Sequence, residues 1–411
     1  MSEDWKALQV GDFCEVSAGG TPDTSIKEYW EDGNIPWMSS GEVHKQRIKE
    51  TESHITTLGL HNSSAKFFPK DSVLVALAGQ GKTRGKVAIS EIELTTNQSI
   101  AAIIARKDIC DPEFLYYNLS NRYEELRSLS GGSGRAGLNL SILSAIEIYL
   151  PPLPEQKKIA EILSGIDNLV RSLTEHNQKL EATKTALSKE LISGHSGHRK
   201  ESPYGQIPEH WIESTLGGII GMANLQTGPF GSQLHAHEYT TEGIPVVMPQ
   251  DMRKCGVVTD KIARITPDRA QTLEKHKVSP GDILFSRRGD IGRHAIISSN
   301  ESGWICGTGC LRARTDGAIN PIFLSELLRH KYALEWLNAN AVGQTMLNLN
   351  TGILADLPVV VPPADEQEKI ANSLSSINEQ TRRIANKIWH TQNLKAAVAS
   401  DLLSGRNRVS V

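Results

Sequence analysis

The chain has 411 residues, 5% of them aromatic and 22% charged, which is material for two or three domains with real cores. Its net charge of −3 and pI near 6.5 count against a simple electrostatic nucleic-acid binder, though not against a reader whose phosphate grip is local or shared with partner subunits. No apolar run reaches transmembrane length, the opening MSEDWKALQVGD lacks a secretory pattern, and five scattered cysteines (Cys14, Cys110, Cys255, Cys306, Cys310) read as reduced thiols, so a cytoplasmic protein is expected.

In chain order, the first unit opens on Trp5 and a Val10-Gly11 turn, followed by a turn-rich stretch over residues 17–43. Residues 67–107 alternate β-branched and small residues, which predicts strands interrupted by a loop at 79–85. Residues 111–129 predict a helix with Asp111 as N-cap and Pro112 in its first position. A Gly-rich loop and the short strand IEIYL then feed the segment around which the chain is organised, PPLPEQKKIAEIL and onward over 151–194.

That segment returns at 362–405, every position offset by 211, with Pro151/Pro362, Glu155/Glu366, Gln156/Gln367, Ile159/Ile370, Leu163/Leu374 and Gly194/Gly405 among the identities. Each copy carries heptads: Ile159, Ile166, Leu173, Leu180 and Leu187 with Leu163, Val170, Asn177, Lys184 and Leu191 in the first, and Ile370, Ile377, Ile384, Thr391 and Val398 with Leu374, Thr381, Ile388, Lys395 and Leu402 in the second. Asn177, Lys184 and Lys395 put polar groups on the seam, where they cost stability but limit register and partner choice. Prolines before the first turn, Asp365 as an N-cap, and Gly194 and Gly405 as C-caps bound two helices of roughly 57 Å. The cheapest partner for each seam is the other, antiparallel; the alternative is that each helix packs on its own domain. After the polar linker HSGHRKESPYGQIPEH, the second unit replays the first: Trp211 for Trp5, Pro280 and Asp282 for Pro69 and Asp71, Gly292 for Gly85, and Pro321 for Pro112. The expected boundaries are 1–150, 151–194, 195–361 and 362–411.

One stretch imitates an enzyme. Residues 76–83 (ALAGQGKT) follow an apolar strand and approach a phosphate-binding loop, but such a loop needs a helix directly after it, and RGKVAISEIEL continues as a strand. Cys306 and Cys310 have no second ligand pair nearby, and His235 and His237 lie in a polar loop, so no metal is expected. No nucleophile elbow, zinc-protease helix, dinucleotide fingerprint or Asn-Pro-Pro-aromatic methyltransferase tetrapeptide occurs.

The doubled plan resembles the specificity subunits of type I restriction–modification systems over the whole chain. The resemblance rests on P-P-x-x-E-Q-x-x-I, present as Pro151-Pro152-Leu153-Pro154-Glu155-Gln156-Lys157-Lys158-Ile159 and again from Pro362 to Ile370, on helices closing in Leu-Ile-Ser-Gly and Leu-Leu-Ser-Gly, and on Ile-Pro-Glu-His-Trp at the entry to the second domain. It implies an α+β, pseudo-two-fold molecule in which two tandem α/β target-recognition domains are separated by two long antiparallel coiled-coil helices. It further implies a non-catalytic subunit reading a bipartite, asymmetric site in double-stranded DNA, with two DNA-methyltransferase subunits and restriction/translocase subunits as partners. S-adenosylmethionine, ATP and Mg²⁺ are then expected only in those partners, and no membrane.

Base readers are sought among side chains that can make bidentate contacts from glycine-held loops. The candidates are Gln80, Lys82, Thr83, Arg84 and Lys86 in the first unit and Ser286, Arg287, Arg288 and Arg293 in the second. Secondary candidates are Ser39 and Ser40, their expected counterparts Gln250 and Asp251, and the loops with Arg135 and Gln344. Lys157, Lys158, Glu161 and Glu175 on the outer helix faces are candidate docking residues for the methyltransferase. Two rival readings stand beside this one: a specificity subunit of a fused, non-type-I enzyme, and a two-headed protein-binding scaffold.

Overall fold

The computed structural model describes residues 5–79, 81–129, 138–193, 198–253, 256–343 and 347–410. The chain divides into two compact units, one of residues 1–173 with 387–411 and one of residues 174–386.

In the first unit a five-stranded sheet runs in the order Cys14–Ala18, Ile100–Ala105, Val73–Ala76, Val87–Ser90, Arg47–Ile48. Its central strands read as unbroken apolar runs because both faces are covered. Val73, Val75, Val87, Ile89, Ala101 and Ile103 point into a core under the helix Pro112–Asn121, while Leu74, Ala76, Ala88, Ile100 and Ala102 alternate into a second core with Met38, Val43 and Phe68. A three-stranded sheet, Ser53–Ile55, Ile35–Met38, Thr95–Thr96, completes the domain. The helix Pro112–Asn121 starts where expected: Asp111 Oδ1 accepts from Phe114 N at 3.0 Å.

The second unit repeats these orders, except that its main sheet has four strands and, among the described residues, no strand in the place of Arg47–Ile48. Leu225–Thr227, Cys310–Ala313, Ile283–Ser286 and His294–Ile296 form the main sheet, and Ala263–Ile265, Ile244–Val247 and Ile305–Cys306 the smaller one. The same alternation divides Ile283, Phe285, Leu311 and Ala313 from Leu284, Ala295 and Cys310. In each unit the domain's entry and exit are zipped together, Lys6–Gln9 against Glu147–Leu150 in one and Ile212–Thr215 against Pro358–Val361 in the other. Each exit strand leads directly into a long helix.

The first long helix spans Leu153–Ser193 and the second Ala364–Leu403. The recurring Glu-Gln pair explains how each is seated. Gln156, 1% exposed, accepts from Asp111 N at 2.8 Å and donates to Ile109 O at 3.0 Å and Pro151 O at 2.8 Å. Gln367 does the same for Asn320 N at 2.7 Å and Pro362 O at 2.8 Å. One amide therefore joins the foot of the long helix to the N-cap of the helix beneath the sheet. The neighbouring Glu155 holds Arg408 in a two-pronged contact at 2.6 and 2.7 Å, and Glu366 takes Trp211 Nε1 at 2.9 Å and His210 at 2.8 Å.

All the predicted seam positions in both helices are buried or half-buried. In the first unit the final turns of the second long helix bring Ala399, Leu402 and Leu403 into the core with Ile159 and Leu163. They run antiparallel to the first, since Lys395 meets Asp167 at 2.5 Å while Arg408, further along, meets Glu155, earlier in the chain. In the second unit Leu187 and Leu191 pack on the core holding Ile370 and Leu374, and the seam residue Lys184 reaches Glu326 at 2.8 Å with both side chains nearly buried. The polar seam lysines are thus ion-pair anchors. Gly405 adopts φ +70° against the Trp5 ring and ends the second helix as expected, whereas Gly194 lies outside the described residues. Asp365 is not the N-cap: the helix begins one residue earlier, and this first-turn carboxylate pairs with Lys369 at 3.1 Å.

Replacing Gln156 by Leu keeps the volume but strips three backbone groups, one buried and two half-buried, of their partner, so unfolding free energy should fall by about 3 kcal/mol in urea titrations. Lys158→Gln, on an exposed part of the same turn, should shift it by less than about 0.5 kcal/mol.

Candidate nucleic-acid interface

Both candidate reading loops connect the same two sheet strands in their respective units: Val73–Ala76 to Val87–Ser90 in one, Ile283–Ser286 to His294–Ile296 in the other. The phosphate-loop look-alike is therefore a hairpin connection running into a strand. Its backbone requires glycine. Gly85 and Gly292 have φ of +80° and +92°, and a Cβ on either would press on the backing helix, on Arg127 Cγ at 3.2 Å or on Leu334 Cδ2.

In the first unit the loop is held from behind by the helix Tyr123–Ser128: Arg127 donates to Gly81 O at 2.6 Å and Tyr123 Oη to Lys82 O at 3.0 Å. Carbonyls facing the protein leave the side chain of Lys82 exposed, with Thr83, Arg84 and Lys86 half-exposed. Lys82 and Lys86 border a cleft of about 410 Å³ lined also by Tyr116, Tyr117, Gln392 and Lys395. Gln80 and Arg135 lie outside the described residues.

In the second unit Arg287 is a junction. Its N–H donates to Gly309 O at 2.8 Å, its carbonyl accepts from Leu349 N at 2.9 Å, its Nε donates to Asn348 Oδ1 at 3.0 Å, and its guanidinium lies 6.0 Å from the Phe230 ring centre. Arg288 beside it is exposed. One member of the candidate set, Ser286, is corrected. Ser286 is 1% exposed and spends its hydroxyl on Arg288 O at 2.7 Å, so it shapes the loop and does not face solvent. Arg293 pairs with Asp290 at 2.7 Å and reaches Pro249 O at 3.3 Å, clipping two loops together. Gln344 lies outside the described residues.

The secondary candidates also shift. Ser39 N donates to Glu42 Oε1 at 3.0 Å and Met248 N to Asp251 Oδ2 at 2.8 Å, so the matching turns pair Ser39 with Met248 and Glu42 with Asp251. The counterparts of Ser39 and Ser40 are Met248 and Pro249, and Asp251 is a buried structural cap. Gln250 is exposed, and Ser39 and Ser40 are half-exposed. Burial raises the Asp251 carboxyl above its ordinary range. At Glu42 burial acts the same way, but Lys45 and the amides of Ser39 and Glu52 outweigh it and hold the carboxyl below that range. Lys157, Lys158, Glu161 and Glu175 are all exposed. Lys157 and Glu161 edge a charged cleft of about 430 Å³ with Arg47, Glu91, Glu113 and Arg171, while Lys158 pairs with Glu161 at 2.9 Å.

The sequence reading missed the parts that hold these loops: Tyr123, Arg127, Asn348 and His294. His294 Nδ1 lies 2.8 Å from Gly292 O, and its Nε2 lies 2.9 Å from Ser325 Oγ and 3.2 Å from Ser325 O. Burial, helped by the charge of Arg329, pushes its pKa down to about 4. Among the described residues no group of three or more His, Cys, Asp or Glu is placed to hold a metal, and no helix is long and apolar enough to cross a membrane.

The model of the type I restriction modification DNA specificity domain matches this chain twice, over residues 2–182 and 208–390. The chain belongs to the type I restriction–modification DNA specificity family. The MjaIX specificity subunit of Methanocaldococcus jannaschii is 26% identical over 422 residues, covering 100% of this chain and 95% of that one. The type I S subunit from M. genitalium shares the fold at a TM-score of 0.64 and 16% identity, covering 97% and 96% of the two chains. A chain from a structural study of complex assembly and conformational transition in a type I system matches at 0.53 and 18% identity, with 98% of each covered. The specificity family's two-domain pattern, with DNA target recognition as its task, coincides with the duplicated sheets and paired loops described above.

Because the folded pKa of His294 lies below the free value of 6.5, its contribution to stability is full above pH 6.5 and is lost as pH falls towards 4. Unfolding free energy should therefore drop by about 3 kcal/mol more over that interval in the wild type than in His294→Gln, measured by denaturant titration at each pH.

Proposed function

We propose that this chain is a non-catalytic, two-headed reader of duplex DNA, in which each compact unit reads one half of a bipartite, asymmetric target. The reading loops are 79–86 in one unit and the Arg287-Arg288 loop in the other. The observation that carries this is the duplication itself. The same hairpin, braced from behind and turned by glycine at Gly85 or Gly292, carries Lys82, Thr83, Arg84 and Lys86 in one copy and Arg287 and Arg288 in the other. A common frame with different donors suits two unlike half-sites, because base edges are distinguished by donor and acceptor pattern.

In this reading residues 1–150 and 195–361 are the recognition domains, and the helical segments 151–194 and 362–411 set the spacer, as rigid elements set half-site separation in symmetric dimers. The exposed Lys157, Lys158, Glu161 and Glu175 contribute to docking two DNA-methyltransferase subunits; restriction/translocase subunits complete the assembly. S-adenosylmethionine, ATP and Mg²⁺ act in those partners, in the cytoplasm. Near-neutral net charge is consistent with phosphate contacts shared across such an assembly.

Two outcomes are expected from methylome sequencing of a host expressing the chain with its methyltransferase. Arg287→Ala with Arg288→Ala should lower methylation of the native site about 10- to 100-fold and relax sequence preference in one half-site only; unchanged rate and preference would refute the loop assignment. A seven-residue heptad inserted after Ser172, with another after His390 to keep the antiparallel register set by Asp167 and Lys395, should lengthen the spacer by about three base pairs at about 1.5 Å per residue and leave both half-sites intact.

A further inference from the structure

Phe230 leaves 55% of its surface in water, although it sits on a well-anchored turn. The turn Gly228-Pro229-Phe230-Gly231 follows the strand Leu225–Thr227 at the edge of the main sheet of its unit. Gly228 N donates to Cys310 O at 2.9 Å, Thr308 Oγ1 donates to Pro229 O at 2.9 Å, and Gln233 N donates to Phe230 O at 3.2 Å. There is no room for a side chain at Gly228, whose Cβ would overlap Gly307 O, and Gly231 turns the chain at φ +59°. A large apolar ring on a loose loop would fold back onto the nearest apolar surface; this one is held out by its backbone. The Arg287 guanidinium is 6.0 Å from the ring centre, and the same residue ties the turn at Gly309 and the segment at Asn348 to the reading loop.

The geometry points to Phe230 as an aromatic wedge for the DNA half-site read by this unit: the ring stacks on, and opens, the base step next to the base edge that Arg287 addresses. The inference rests on the reading of the Arg287-Arg288 loop given above. Apolar side chains inserted at base steps unstack them, and base-aromatic stacking tolerates many sequences, so Phe230 adds affinity and a preference for easily opened pyrimidine–purine steps, while the arginines carry donor-acceptor readout. The first unit has Thr21 near the matching place after its edge strand Cys14–Ala18, hydrogen-bonded to Gln98, so the wedge belongs to one half-site only.

The test uses the complete methyltransferase assembly and duplexes carrying 2-aminopurine, one position at a time, through the half-site that Arg287→Ala with Arg288→Ala disturbs. With wild-type protein, fluorescence should rise at one step, reporting unstacking. Phe230→Ala should abolish that rise and weaken binding of the specific duplex about tenfold or more, and Phe230→Trp should keep most of both. The ring being exposed, these variants should fold and co-purify with the methyltransferase subunits as the wild type does. An unchanged fluorescence rise in Phe230→Ala, an equal loss on specific and unrelated duplexes, or loss of the methyltransferase subunits on size exclusion would each overturn the wedge, the last by making Phe230 a protein contact. Failure of the wedge alone leaves the effect of the double arginine substitution on the methylated sequence in place, whereas failure of the loop reading removes that effect.

Discussion

The amide of a single glutamine at the foot of each long helix is the constraint on which the rest depends. Gln156 and Gln367 are buried, and a buried amide must find partners or cost the fold dearly. Each finds backbone groups of the Pro-Pro entry and of the cap of the helix beneath the sheet. The direction of the long helix is thereby tied to the orientation of the recognition domain that precedes it. A lever attached loosely could not transmit a fixed geometry from a sheet to a helix some forty residues long.

The carboxylate beside each glutamine shows how duplication has been adapted. Glu366 is held by Trp211 and His210 from its own unit's entry strand region. Glu155 instead takes Arg408 from the tail of the chain, and Trp5 Nε1 is left buried without a hydrogen-bond partner among the described residues. The same carboxylate position thus fastens the entry in one copy and the C-terminal tail in the other. The seam lysines diverge similarly. Lys395 meets Asp167 and lies over the Tyr117 ring, while Lys184 meets Glu326, in a position where an uncompensated charge would be costly.

The loops obey a different economy. Their backbones are held by groups behind them, Tyr123 and Arg127 in one unit and Leu349, His294 and Leu334 in the other. This suits recognition, in which a preorganised donor loses little freedom on binding. The low net charge reflects 44 Lys and Arg against 47 Asp and Glu, and the long-helix surface carries paired charges such as Arg382 and Arg383 with Glu379.

The duplication, the extents of the two long helices, the heptad seams, the Asp111 cap and the strand character of the phosphate-loop look-alike were legible in the amino-acid order, because periodicity, proline and glycine act locally, whereas the single helix expected over 111–129 is broken at Arg122. The make-up of the candidate loops was legible in part: their glycines and cations are visible as text, yet whether a side chain faces water is not. Ser286 and Asp251 read as surface polar residues in the sequence, and only packing turned them inward. Tertiary structure alone decided that the seam lysines are anchors, that Arg408 returns to Glu155, and that Phe230 stands beside Arg287. Each of these depends on contacts between residues more than fifty positions apart in the chain, and no local rule of sequence reaches that far.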